Sequence, residues 1–213
     1  RMKGKVLNTL ERYTEAFEVY KEIHALAPSP AAQIGLARAL HGLGKHEEAA
    51  TIAGALVSKH REFMEAYDFL AKIHEEKGDW GVAQSVLQKA LLVSPRHTQR
   101  HQDMADIAVN NNDMETAERS YLKVLAARRG SSLLSIDDYA NVARTSLSRG
   151  KTAAARTTIE NMRREWRTDK NAELAALVLD SLCFTQEKMA TRAAQVLQQV
   201  IDLHEEIGSE AIS

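Results

Sequence analysis

The stretch Tyr67-Asp68-Phe69-Leu70-Ala71-Lys72-Ile73-His74-Glu75-Glu76-Lys77-Gly78-Asp79-Trp80-Gly81-Val82-Ala83 decides the architecture. A large apolar residue and an alanine (Leu70, Ala71) precede a glycine, Gly78, and a second alanine, Ala83, follows it. Gly44 lies before Gly78, and Asn112, which tolerates the same left-handed backbone, lies after it, both at one identical interval. The flanking positions repeat in step: Leu36, Leu70 and Met104; Ala37, Ala71 and Ala105; Ala49, Ala83 and Ala117. Such a fixed period marks one structural unit copied along the chain. Each unit reads as two antiparallel helices joined by a tight turn. Ala37 and Ala49 sit where the two helices approach most closely, and the large residues fill the gap toward the next unit. One pair cannot bury its apolar face alone, so several must stack.

The pattern continues in both directions. Upstream, Tyr13, Ala16, Tyr20, Ile23 and Pro28 fit the second helix of a unit. Downstream, Tyr139, Val142, Ala143, Gly150 and Ala155 fit again after a slightly longer step, with the insertion in Arg129-Gly130-Ser131-Ser132. A degenerate last pair runs from about Asn171 to Glu206, its Ala193 following Ala155 by the same longer step. The spacing predicts helices near 6–12, 13–26, 31–43, 46–59, 64–77, 80–93, 97–111, 114–128, 136–149, 152–166, 171–185 and 189–206. The domain reading is a partial first unit over 1–28, three units over 29–129, a loop over 130–135 and two divergent units over 136–213. Asp79 and Asp113 follow turn residues and are expected to cap second helices. Ser135 with Asp138 reads as a capping box. The opening Arg1-Met2-Lys3-Gly4-Lys5-Val6-Leu7 reads as a helix already under way, as in a fragment of a longer protein. The incomplete first unit is expected to expose Val6, Leu7 and Leu10.

Composition narrows the function. With 28 basic and 29 acidic side chains the formal charge is −1, which gives no long-range pull on nucleic acid or anionic membrane. The longest apolar run, Leu174 to Leu179, is far short of the roughly 20 residues that span a bilayer. A lone cysteine, Cys183, excludes an intrachain disulfide and fits a reducing cytosol. Thus neither nucleic-acid nor membrane binding is expected, and a cytoplasmic location is.

Tyr67, Leu70, Ala71, Gly78, Ala83, Leu87, Ala90 and Pro95 together resemble the tetratricopeptide repeat. This resemblance implies an all-α, right-handed superhelical solenoid that binds proteins. His74 and Ala108 depart from it where a large aromatic is usual, and Arg61 and Arg129 replace the closing proline. A narrower likeness is carried by residues 32–40 and 63–71, by Val93-Ser94-Pro95-Arg96 and by Ile136-Asp137-Asp138-Tyr139. These strings resemble a bacterial family in which a phospho-accepting receiver precedes a tetratricopeptide region. That likeness implies the output part of a response regulator, with the receiver and its aspartate before Arg1.

In such an array the first helices line a concave face. By register its inward polar residues are Arg38, His41, Glu65, Asp68, Lys72, Glu75, Gln99, Gln102, Asp106, Asn141 and Arg144. Arg38, Lys72, Asp106 and Arg144 hold equivalent places in four units. The expectation is a mixed-charge groove for an extended or helical peptide; the bland alternative is a solvated helix face. The lysine–asparagine pattern of carboxylate-clamping co-chaperones is missing, and Asp68 is expected to repel a carboxylate. Tight binding of chaperone C-terminal peptides is therefore not expected. The rival reading is self-association or assembly, a twofold contact covering the first unit and giving a homodimer.

Chemistry is weakly represented. His97 and His101, four apart, lack a third ligand at metal spacing, and His101 falls at a packing position. No nucleophile elbow or phosphate loop occurs. Cys183 reads as a buried hydrophobe, Trp80 and Trp166 as packing residues. Arg156, Arg163, Arg164 and Arg167 read as a solvated face, partly neutralised by Glu160 and Glu165. No catalytic residue, metal or cofactor is assigned, and an enzyme is not expected.

Overall fold

The computed structural model describes residues 2–210. Arg1, part of the stretch read as helical, lies outside the described residues, as do residues 211–213. Among the described residues there are twelve helices and no strand, the all-α tetratricopeptide-type architecture that the period predicts. In order they are α1 (Met2–Thr9), α2 (Tyr13–Leu26), α3 (Pro30–Gly42), α4 (His46–Lys59), α5 (Met64–Glu76), α6 (Trp80–Val93), α7 (Thr98–Asn110), α8 (Met114–Arg128), α9 (Ile136–Ser148), α10 (Thr152–Glu165), α11 (Lys170–Gln186) and α12 (Ala190–Glu210). They fall into two compact units, Arg1–Asp103 and Met104–Ser213, the division lying inside α7. From α1 to α6 each helix packs on the next, and α1 also touches α3. In the second unit α8 to α12 pack in the same succession, and α9 also touches α11.

One joint recurs within the helix pairs. Gly44, Gly78, Asn112 and Gly150 are left-handed, with φ of 79°, 76°, 57° and 73°. The next residue's amide reaches back over the turn: Lys45 to the Leu40 carbonyl at 2.9 Å, Asp79 to His74 at 2.8 Å, Asp113 to Ala108 at 2.8 Å and Lys151 to Ser146 at 2.9 Å. These bonds satisfy carbonyls that the helix end would otherwise leave open. Glu11 and Lys188, with φ of 57° and 60°, form the same joint, through Arg12 to Leu7 at 2.9 Å and Met189 to Phe184 at 2.8 Å. Neither residue betrays the conformation by its type.

The Glu11 joint shifts the first helix from the expected 6–12 to Met2–Thr9. Leu7 is consequently buried with Ala16 and Ala39, against the expectation that it would be exposed; Val6 and Leu10 do remain exposed. The small-residue seam is as expected, with Ala37, Ala49, Ala83, Ala105 and Ala117 all fully buried. Asp113 caps α8 by accepting from the Thr116 amide, and Ser135 and Asp138 form the full capping box of α9. Asp79 makes no cap bond; its carboxylate instead lies 3.3 Å from His74 and 3.7 Å from Lys77.

In the second unit Tyr139, Ile159, Met162, Leu179 and Cys183 form the core. Trp166 packs edge-on against Tyr139 with ring centroids 5.7 Å apart. Burial pushes the Cys183 thiol up, as suits a packing residue. The carboxylate of Glu118, nearly buried, accepts from Ser146 at 2.7 Å and Lys151 at 2.8 Å and also from Arg149, tying α8 to α9 and to the start of α10. Burial alone would raise its carboxyl; the bonds from Lys151, Ser146 and Arg149 together outweigh that and hold it below the usual 4.5.

Candidate functional site

A cavity of about 490 Å³ opens in the first unit among α1, α2, α3 and α5. Its floor comes from a bulky-into-small fit between α2 and α3. A Cβ added at Gly35 would lie 2.2 Å from the Tyr20 ring, and one at Gly42 would lie 2.3 Å from Tyr13. Tyr13 opposes Gly42 and Tyr20 opposes Gly35, the register of two antiparallel helices. Gly4 of α1 also borders Tyr20, at 2.8 Å for an added Cβ. The rings occupy the space the absent side chains would take, and both tyrosines line the cavity with Ile34 and Phe69.

The walls are polar. Lys5, Asn8 and Thr9 come from α1, Arg38 and His41 from α3, and Glu65, Asp68 and Lys72 from α5. Arg38 pairs with Glu65 at 3.0 Å, and its guanidinium lies 5.5 Å from the Phe69 ring centre, a cation–π distance. The His41 ring packs edge-on to Phe69 and to His46, with Nε2 2.8 Å from Glu76. Lys72 reaches Glu76 only at 3.7 Å and stays 64% exposed. The Tyr20 hydroxyl is pushed up by burial; Arg38 opposes that and Glu65 adds to it.

Asp68 is not the repulsive charge the sequence suggests. Both its oxygens are held by Arg100, Nε at 2.5 Å and Nη2 at 2.9 Å. Arg100 is itself 4% exposed and donates to Ser94. A two-pronged pair of this kind neutralises the carboxylate locally.

Five sequence-chosen residues, Arg38, His41, Glu65, Asp68 and Lys72, thus meet in one cavity. Glu75 and Gln102 belong to the same unit but do not line it. Asp106, Asn141 and Arg144 belong to the second unit. There Tyr121 donates to Asp106 at 2.6 Å. Burial first and that bond second raise the phenol, while the Arg144 charge works against them. Sequence reasoning missed Lys5, Asn8, Tyr13, Tyr20, Phe69 and Arg100. The matched order of bulky and small residues along α2 and α3 is the signal that finds the floor.

The other candidates are engaged locally. His97 Nδ1 accepts from the Arg100 amide at 3.2 Å, and the His101 ring donates to the Pro95 carbonyl at 2.8 Å. Arg163 is held by Glu173 at 2.8 and 2.9 Å and by Asp180 at 2.7 Å. Arg156 is held by Glu187 at 2.7 Å. Carboxylates of α11 and its C-cap therefore take a larger part in neutralising this cluster than Glu160, which lies 3.5 Å from Arg164. No described helix is long and apolar enough to cross a membrane.

Two tetratricopeptide-repeat family models match, over residues 8–73 and 66–100. The human protein O-mannosyl-transferase TMTC1 is 31% identical over 94 residues, 44% of this chain and 11% of that protein. The chain thus spans only a small part of that relative's length. Among solved structures, a chain of Naa15/Naa10 bound to HypK-THB aligns with a TM-score of 0.76 at 17% identity, over 99% of this chain and 33% of that one. Nearly identical TPR-like repeats from Podosopora anserina align with 0.63 at 16%, over 84% and 98%. MamA aligns with 0.61 at 14%, over 89% and 96%. These structural likenesses speak to the fold.

Proposed function

We propose that this tetratricopeptide-repeat chain is a protein-binding adaptor whose partner segment enters the cavity of α1, α3 and α5. One observation carries the reading: Arg38, His41, Glu65, Asp68 and Lys72, chosen by register, line a single cavity. The helices that carry them are held by fully buried Ala32, Ala37, Ala39 and Ala66, so the backbone positions of the polar side chains are fixed by packing. Binding proceeds by shape and charge complementarity, with no bond made or broken. Asp106, Asn141 and Arg144 are proposed as further contacts on the second unit.

The test is quantitative affinity capture from the source cells with the wild-type chain and with Arg38→Glu/Lys72→Glu. Partners retained by the first and lost by the second, at equal thermal stability, support the reading; an unchanged partner set overturns it.

The likeness of residues 32–40 and 63–71 to receiver-linked repeat regions favours a signalling adaptor, in which phosphorylation of an attached receiver changes how the array meets its partner. A full gene without a receiver domain removes that form of the proposal. Self-association is the second reading, favoured by Val6 and Leu10 on α1, which are 55% and 59% exposed. A concentration-independent monomer in sedimentation velocity would exclude it.

A further inference from the structure

We infer that the α1–α3–α5 cavity selects an acidic, extended segment of its partner protein, a conclusion that rests on the groove reading above. The charges decide the sign. Two carboxylates line the cavity, and both are engaged: Asp68 by the buried Arg100 through two bonds, Glu65 by Arg38. The lining cations are less committed. Lys5 has no carboxylate partner among the described residues, and Lys72 has only the long contact to Glu76. An incoming carboxylate gains Lys5 and Lys72 without displacing an existing pair. An incoming ammonium would have to share Glu65 with Arg38 or Asp68 with Arg100, while facing the unpaired charge of Lys5 and the loosely held one of Lys72.

Hydrogen bonding supports the acidic preference. The hydroxyls of Tyr13 and Tyr20 make no hydrogen bond among the described residues, so each can donate to a carboxylate or carbonyl oxygen. Asn8 donates from Nδ2 to the Gly35 carbonyl at 3.2 Å, yet its Oδ1 is buried without a partner. That oxygen is closed to solvent and takes no part in recognition. The apolar rings of Phe69 and Tyr13 beside these groups suit an apolar side chain flanking the acidic one. The volume is that of a site enclosing a few residues.

Fluorescence anisotropy with the labelled peptide Gly-Ser-Glu-Leu-Glu-Tyr-Glu-Ser-Gly, and with its Gln-for-Glu and Lys-for-Glu counterparts, tests the inference. The acidic peptide is expected to bind at least about tenfold tighter than the Gln peptide, with the advantage shrinking at about 0.5 M salt. Lys5→Glu and Lys72→Glu, both at exposed side chains, should each weaken it about threefold to tenfold. Tyr13→Phe should weaken the acidic and Gln peptides both, because it removes a lining donor and not a charge. Equal binding of the acidic and Gln peptides, or tighter binding of the Lys peptide, overturns acidic selection. If that binding still responds to Tyr13→Phe, the groove stands. If no peptide binds up to about 1 mM, the inference falls, and the capture comparison decides the groove separately.

Discussion

At the scale of the residue, glycines with opposite surroundings separate packing from propensity. Gly35 faces the Tyr20 ring, whereas Gly54, in the middle of α4, has nothing within 4 Å of an added Cβ. Gly35→Ala should cost about 2 kcal/mol or more through overpacking. Gly54→Ala should stabilise by about 0.5–1 kcal/mol. Urea denaturation of the two variants checks both signs. Glu118 supplies a pH-dependent counterpart. Its folded carboxyl titrates below the usual 4.5, so its contribution is complete above that value. The contribution drains away as pH falls through the folded value. Glu118→Gln should cost about 1–3 kcal/mol at neutral pH, because Arg149 and Lys151 lose their acceptor. The gap between variant and wild type should narrow below about pH 4 in an acid denaturation series.

At the scale of the element, caps and joints set the helix limits. Ser135→Ala removes one half of the α9 capping box and should lower stability by about 1 kcal/mol, read from the denaturation midpoint. Helices were legible in the sequence wherever glycine or asparagine stood at the joint, as at Gly44, Gly78, Asn112 and Gly150. The boundary of α1 was not, because Glu11 adopts the same left-handed backbone and its residue type gives no sign of it. Asp79 shows the converse limit. Its residue type suits a cap, but His74 one turn earlier and Lys77 compete for the carboxylate. Electrostatic partners within reach can overrule a local preference, and one-dimensional spacing does not reveal them.

At the scale of the whole molecule, burial concentrates stability along the seams between helices and leaves the outer faces tolerant. Leu179 is 1% exposed and Leu197 is 47% exposed. Leu179→Ala should cost about 2–5 kcal/mol, whereas Leu197→Gln should stay within about 0.5 kcal/mol; paired melting curves distinguish them. The polar wall of the cavity was legible from register, since a constant period puts equivalent side chains on one face. Its floor and its charge balance were not. Both depend on which tyrosine meets which glycine, and on an arginine, Arg100, contributed from the helix pair after that of the aspartate it neutralises. The repeated joint carries a further consequence for the chain's modularity. Since Gly44 and Gly78 hold the same dihedral state and both hand on to a second helix, excising residues 45–78 splices one turn onto the other without a new geometry. The shortened chain should keep its helical signature in circular dichroism and melt earlier, having lost one nearest-neighbour interface, which would make the array editable in whole cassettes.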